Sequence, residues 1–451
     1  MRARKQEITV GFVSLGCPKN TVDSERLLAQ IAQAGFAITS QSCNADVVVV
    51  NTCGFIAPAE AESLEAIRRA VDCKLSGWVK KVVVAGCLGE RLGSQLLERV
   101  NGIDAIVGLD QRDSIAEIIR NVLSCEVAGW QPVTKAVEPR ADRVPDDRTR
   151  LLITPGHWAY LRISEGCDRR CSYCTIPQIR GTFRSKPLEL VLAEATELAC
   201  AGVLELNLIA QDTTYYGRDL KLKNGLPSLV RELEKVSGVE WIRLMYLYPT
   251  GIDAELIETI ATSNKIVRYL DIPLQHVTDR ILKSMRRPDT PDAIRRLIEN
   301  LRSAMPDIVL RTTLMVGFPG ETEGDFDELL QFVKWAEFDA LGCFEFYPES
   351  GTDAAKMPAQ VADEVKQQRF DELMLTQQKI AFAKNENRVG ARLRCLVDSL
   401  DEKGLGRGRF YGQAPDIDSV CIIENCSAAP GQFVDGRVVT TQDYDLLVEQ
   451  V

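Results

Sequence analysis

The chain has 451 residues, more than one hydrophobic core usually spans, and its 45% hydrophobic and 26% charged residues are the balance of a globular protein with two or three domains. A net charge of -10 argues against a surface devoted to phosphate backbones, and no apolar run is long enough to cross a bilayer. The 14 cysteines follow a charged start without a signal-peptide pattern, MRARKQEITV, so they are expected to be metal ligands or reduced core residues of a cytoplasmic protein; with only His157 and His276 present, a histidine-built zinc centre is disfavoured.

Residues 1–128 alternate strand and helix patterns: ITVGFVSLGC, TVDSERLLAQIAQAG, ADVVVVNTC, AEAESLEAIRRAV, KKVVVAGC, then RLGSQLLERV, IDAIVG and SIAEIIRNVL. Short β-branched runs without polar alternation belong to strands buried on both faces, which predicts an α/β domain with a doubly wound parallel sheet. Residues 129–152 are rich in proline and charge, lack either period, and read as a linker. Over 153–385, six strand candidates alternate with amphipathic helices: WAYLRISEGC, VLELNLIAQD, WIRLMYLYP, VRYLDIPLQH, IVLRTTLMVGFPG and ALGCFEFYP. Six such units predict a partial barrel with its chemistry at the C-terminal strand ends. Residues 386–451 hold short strand runs between turn residues and predict a small all-β barrel.

GCDRRCSYC places Cys167, Cys171 and Cys174 on one loop directly after the first of those six strands. Three thiolates at this spacing suit a 4Fe-4S cube with one iron open to substrate, whereas a structural zinc would need a fourth ligand that is not nearby. With Tyr173 before the last cysteine and six βα units behind it, the segment resembles the radical S-adenosylmethionine superfamily. The resemblance implies that the open iron binds S-adenosylmethionine and that its cleavage yields a 5'-deoxyadenosyl radical. Gly317, Pro319, Gly320 and Glu323 in VGFPGETE resemble that family's adenine-contacting loop. Gln211 and Asp212 end the second strand, Gln275 and His276 the fourth, and Arg311 lies within the fifth. Tyr173, Gln211, Gln275, Arg311, Gly317 and Gly320 are the expected cofactor-binding residues; ordinary strand caps and solvated polar groups are the equally open reading of each.

Cys17, Cys53 and Cys87 end three strands of the first domain, at separations of 36 and 34 residues. The strand ends of a doubly wound sheet converge on one crevice, so these cysteines are expected to meet there and hold a second 4Fe-4S cluster. Cys43, Cys73, Cys125, Cys200, Cys343, Cys395, Cys421 and Cys426 share no such placement and are expected to be packing residues.

The whole chain, ending in a barrel of the TRAM type, is similar to the methylthiotransferases. That resemblance implies two molecules of S-adenosylmethionine, one the methyl donor and one the radical source, with an external electron donor and a sulfur donor. SLGCPKNTVDSE and ISEGCDRRCSYCTIPQIRGTFRS resemble the branch that methylthiolates the β-carbon of an aspartate in ribosomal protein S-twelve of the small subunit. From Asn387 to Val451 there are seven basic and ten acidic residues, a balance that suits a basic protein partner better than tRNA. Arg407, Arg409, Phe410 and Tyr411 leave a local RNA contact open. The alternatives are a tRNA adenosine methylthiotransferase and a non-enzymatic iron-sulfur or zinc scaffold.

Overall fold

A computed structural model describes residues 7–124, 133–134 and 144–451. Cys125 and, within the expected linker, residues 129–132 and 135–143 lie outside the described residues. The chain forms two compact units. The first takes in the chain as far as Ile153 together with Glu165–Arg169 and Thr175–Lys186; the second takes in Thr154–Ser164, Arg170–Cys174 and Pro187–Val451.

The first unit is built from β1 (Thr9–Ser14), α1 (Pro18–Gln33), β2 (Ala37–Thr39), β3 (Val47–Thr52), α2 (Ala57–Leu75), β4 (Lys81–Gly86), α3 (Cys87–Leu92), α4 (Gln95–Arg99), β5 (Ala105–Val107), α5 (Ile115–Ser124) and β6 (Val133–Thr134). The strands form one parallel sheet in the order β2-β1-β3-β4-β5-β6. Val47 and Val49 pack on one face with Leu27 and Ile31 of α1 and Ile115 and Ile119 of α5. Val48 and Val50 pack on the other with Leu64, Ile67 and Val71 of α2. Both faces are therefore dry, which is why VVVV shows no alternation, and each buried valine contributes about 1.5–3 kcal/mol.

Three features of this unit differ from the expectations. The short edge strands β2 and β6 were not anticipated, and β6 lies inside the segment read as a linker, where it pairs with β5. Cys43 and Cys73 are not separate packing residues but form a disulfide, with Cα atoms 5.5 Å apart. The short turn at Ser42–Asn44 packs against α2 and brings the two together.

The second unit opens with β7 (Trp158–Arg162). The chain then runs through β8 (Ser164–Glu165), the cysteine loop, α6 (Ile176–Arg180) and β9 (Arg184–Ser185). There follow α7 (Leu188–Cys200), β10 (Glu205–Ile209), α8 (Gly225–Leu233), β11 (Trp241–Leu244), α9 (Ala254–Thr262), β12 (Ile266–Gln275), α10 (Asp279–Ser284), α11 (Pro291–Ala304), β13 (Val309–Val316), α12 (Glu323–Ala336), β14 (Ala340–Glu345) and the long α13 (Asp363–Glu386). β7 and β10 to β14 form one parallel six-stranded sheet in chain order, the expected partial barrel.

β15 (Arg392–Leu400), β16 (Gly406–Phe410), β17 (Cys421–Glu424), β18 (Phe433–Gln442) and β19 (Asp445–Gln450) close the expected small barrel. It packs against the N-terminal ends of the six-stranded sheet. Glu205, first in β10, is fully buried between Arg243 (2.8 Å) and Arg409 (2.6 Å). Arg409 continues to Asp398 (2.8 Å), which also receives His157 Nε2 at 2.8 Å. The Phe433 ring stands edge-on to Trp241, first in β11. This interface corrects the RNA-contact expectation: Arg409 and Phe410 are buried in it, and the Tyr411 hydroxyl donates to the Asp307 carbonyl at 2.7 Å. Of the four residues Arg407 alone is exposed. No helix among the described residues is long and apolar enough to cross a membrane.

Candidate functional site

In the first unit the chain reverses direction across the sheet between β1 and β3, and the crevice beyond such a switch is where open α/β sheets hold ligands. Cys17 follows β1, Cys53 follows β3 and Cys87 follows β4. Glycines let these turns close on one another. Gly16 has φ +95°, and a Cβ there would stand 2.7 Å from Cys53 Cβ; a Cβ on Gly54 would stand 2.8 Å from Leu88 Cα. Asn20 donates to the Leu15 carbonyl and, at 3.4 Å, to that of Thr52, stapling the first cysteine turn to the second. Ser63 Oγ ties the second turn to α2, accepting from Cys53 N–H at 3.0 Å and donating to Cys53 O at 2.8 Å.

Two of the three thiols are shifted by their surroundings. Burial raises Cys53 above the usual thiol range, and the nearby Cys17 raises it further. Burial pushes Cys87 up to about 12, with Cys17 and Cys53 adding to the rise and Arg180 opposing it. Arg180 Nη2 donates to Cys87 Sγ at 3.2 Å. The same guanidinium is held by Glu165 at 2.6 Å and Asp23 at 2.9 Å. Sequence reasoning missed Arg180, which is 93 residues from Cys87 and carries no local signal. The flanking glycines in LGC, TCG and AGC were a readable one.

Cys167 belongs to this first unit, and its N–H donates to Gly181 O at 3.0 Å. Cys171 and Cys174 belong to the second, where Cys174 N–H donates to Cys171 O at 3.2 Å. Between them Ser172 is anchored on the end of α10 through Met285 O (3.0 Å) and Ser284 O (2.8 Å), while its own carbonyl accepts from Ala354 N–H. Tyr173 packs edge-on to Phe318 against a cluster of Ile281, Met285, Met315 and Phe346. Burial and the neighbouring Cys171 thiol push its hydroxyl well above the usual phenol range, against the pull of Arg287. Among the described residues, no three Cys, His, Asp or Glu side chains gather closely enough to hold a single metal ion.

At the C-terminal ends of β10 and β12, Gln211 Oε1 and Gln275 Oε1 are buried without a hydrogen-bond partner among the described residues. Gln275 also sits at φ +70°, in the left-handed region that a side chain rarely adopts. Asn207, midway along β10 and fully buried, has neither polar atom bonded. Such atoms cost free energy unless a ligand or water satisfies them. After β13, Gly317 (φ +73°) and Gly320 (φ +81°) shape a loop closed on itself by Glu321. Glu321 accepts from Gly317 N–H (2.9 Å) and Phe318 N–H (3.3 Å), and Arg369 fixes its other oxygen at 2.8 Å. His276, fully buried, accepts from Thr278 N–H at Nδ1, which leaves its Nε2 proton facing Glu321 at 3.6 Å. Glu321, not the exposed Glu323, is thus the carboxylate that organises the loop.

Arg311 stands apart from these. It is third in β13, toward the N-terminal end of the strand, and pairs with Asp271 at 3.0 Å and with Asp418 of the small barrel at 3.3 Å. It shares neither strand-end position nor partners with Gln211 and Gln275.

Three family models match the chain: "Uncharacterized protein family UPF0004" over residues 9–108, the radical SAM superfamily over 161–333 and the TRAM domain over 389–451. The chain is 42% identical to the ribosomal protein uS12 methylthiotransferase RimO of Syntrophomonas wolfei, over 98% of this chain and 100% of that one. It is 45% identical to the protein of the same name from Symbiobacterium thermophilum, over 98% of this chain and 91% of that one. Among solved structures, the radical S-adenosylmethionine methyltransferase TsrM from Kitasatospora setae, with cobalamin and a [4Fe-4S] cluster bound, is similar in fold, with a TM-score of 0.58, 16% identity and 77% of each chain covered.

Proposed function

The chain belongs to the family of ribosomal protein uS12 methylthiotransferases, and from that premise we propose that it replaces a hydrogen on the β-carbon of an aspartate of ribosomal protein uS12 with a methylthio group. The observation that carries this reading is identity of 42–45% to enzymes of that name along essentially the whole chain, all three segments included. It is a radical S-adenosylmethionine enzyme with an iron-sulfur cluster. Its first domain extends past residue 128 to take in β6, the radical domain follows up to residue 385 and the small barrel spans 386–451; it works in the cytoplasm with an external electron donor and a sulfur donor.

Cys167, Cys171 and Cys174 would hold one 4Fe-4S cluster and Cys17, Cys53 and Cys87 a second. The donor sets support this, each being three thiols, the ligand type that iron-sulfur clusters take. S-adenosylmethionine, cleaved with an electron from a cluster, supplies a radical able to take hydrogen from an unactivated carbon. Tyr173, Gln211, Gln275, Gly317 and Gly320 would seat it: the two glutamines offer acceptor oxygens without partners, and the glycines let backbone approach a flat ring. The main contribution of the polypeptide is orientation of the two reacting groups.

Mass spectrometry of ribosomal protein uS12 with and without a working copy of this gene is the test. The expected result is loss of the methylthio modification from one aspartate in the deletion strain, restored by the intact gene. An unmodified tRNA with normally modified uS12 would overturn the reading in favour of a tRNA enzyme. Absence of iron, sulfide and 5'-deoxyadenosine release would overturn it in favour of a scaffold.

A further inference from the structure

Arg180 lies on α6, six residues after the last cysteine of the loop, and is 2% exposed. Its helix packs on α3, where Ile179, Cys87 and Leu109 form one small apolar cluster. Guanidinium donors are directional. Nη1 is taken by Glu165, while Nη2 is shared between Asp23 and Cys87 Sγ. A buried arginine held by two carboxylates needs no thiol for its own satisfaction. The carboxylates instead fix the plane of the fork, so that one N–H is aimed at the sulfur.

The charges close around this point. Arg112 pairs with Asp23 and stands 3.9 Å from Glu165, so both carboxylates that hold Arg180 also face a second guanidinium. What remains for Cys87 is a fixed N–H donor inside a dry environment, where a hydrogen bond to a charged acceptor is strong. Hydrogen bonds to cluster sulfurs stabilise the more negative, reduced state and raise its potential.

We propose that Arg180 is a positioning residue for the N-terminal cysteine centre: it holds Cys87 Sγ in ligating orientation and raises the reduction potential of the cluster above that of three thiolates alone. This rests on the reading that Cys17, Cys53 and Cys87 hold a second cluster. It gives the segment after the loop cysteines a second task, supporting the first unit's thiols as well as carrying the chain onward.

The test uses the full chain with Cys167→Ala, Cys171→Ala and Cys174→Ala, so that only the N-terminal trio can hold iron, reconstituted anaerobically with iron and sulfide. In this background Arg180→Lys is compared with the double variant Arg180→Gln/Glu165→Gln, which leaves Asp23 balanced by Arg112 and so protects the fold; thermal unfolding confirms that it is intact. Iron content and the midpoint potential, followed by electron paramagnetic resonance, are the readouts. The double variant is expected to keep its iron and shift to a lower potential, with Arg180→Lys, which keeps the charge and a donor but loses the planar fork, falling between it and the parent. An unmoved potential in an iron-loaded double variant overturns the role of Arg180. A parent protein that binds no iron overturns the second cluster itself, and is read before any variant is made.

Discussion

The two ends of the six-stranded sheet treat buried polar groups in opposite ways. At the N-terminal ends Glu205, Arg243, Arg409, Asp398 and His157 form a chain of ion pairs and hydrogen bonds with the small barrel, in which Arg243 Nη2 alone among their side-chain atoms is buried without a partner among the described residues. At the C-terminal ends Gln211 and Gln275 present buried oxygens that nothing among the described residues satisfies, and Gln275 does so from a strained backbone. A polar group satisfied within the fold serves stability; one kept buried and unsatisfied is a cost that persists where a ligand repays it. The same sheet therefore has a structural end and, on the proposed function, a chemical end, as parallel barrels generally do.

The largest expected effect lies at the chemical end. Cys171→Ala should abolish release of 5'-deoxyadenosine from S-adenosylmethionine under reducing conditions while leaving the thermal unfolding transition in place. Retained cleavage would remove the loop from the chemistry. At the structural end Arg409→Ala should do the reverse. It leaves Glu205 with one partner fewer inside a dry interface, and breaking a buried pair this way costs about 3–5 kcal/mol, measured by denaturant unfolding. Cleavage per folded molecule should be unchanged; a loss of activity without loss of stability would erase the contrast between the two ends.

The glutamines give a finer test. Gln275→Ala and Gln211→Ala should each weaken S-adenosylmethionine binding about 10-fold, equivalent to about 1.4 kcal/mol, in equilibrium titration. Unfolding free energy should not fall, and should rise by up to about 1–3 kcal/mol where removal of the buried unpaired oxygen relieves its cost. If stability falls and binding holds, these oxygens belong with the structural end.

How far such contrasts can be read from sequence depends on the reach of the signal. Cys167, Cys171 and Cys174 lie within eight residues, so the chemistry proposed for them is readable without a fold. Cys17, Cys53 and Cys87 are singled out only once each is seen to end a β-branched run, because the topology then predicts that they converge. Arg311 shows the limit of that method: alternation assigns a residue to a face of the sheet, but its depth depends on where the strand begins, and β13 begins only two residues earlier. Arg409 looked like an RNA contact because its partner Glu205 is 204 residues away. The Cys43–Cys73 disulfide and the strands β2 and β6 were missed for a related reason: pairs and runs this short carry no period of their own.

The smallest expected effect is a pH dependence confined to the structural end. Burial works to raise the Asp398 carboxyl, but hydrogen bonds from His157 and Arg409 and their charges outweigh it and hold the group below the usual carboxylate range. A depressed folded value means that the unfolded chain takes up the proton first as pH falls. The contribution of Asp398 is therefore fully present above the unfolded value of about 3.9 and is lost as pH drops through the lower folded value. Asp398→Asn should then be less stable than the parent near neutrality, with the difference shrinking below about pH 4 as the parent loses what the variant never had. Thermal unfolding of both proteins between neutral and acid pH measures this directly. A difference that stays constant down the whole range would mean that Asp398 acts through packing and not through its charge, and that the structural end is held by shape more than by ion pairs.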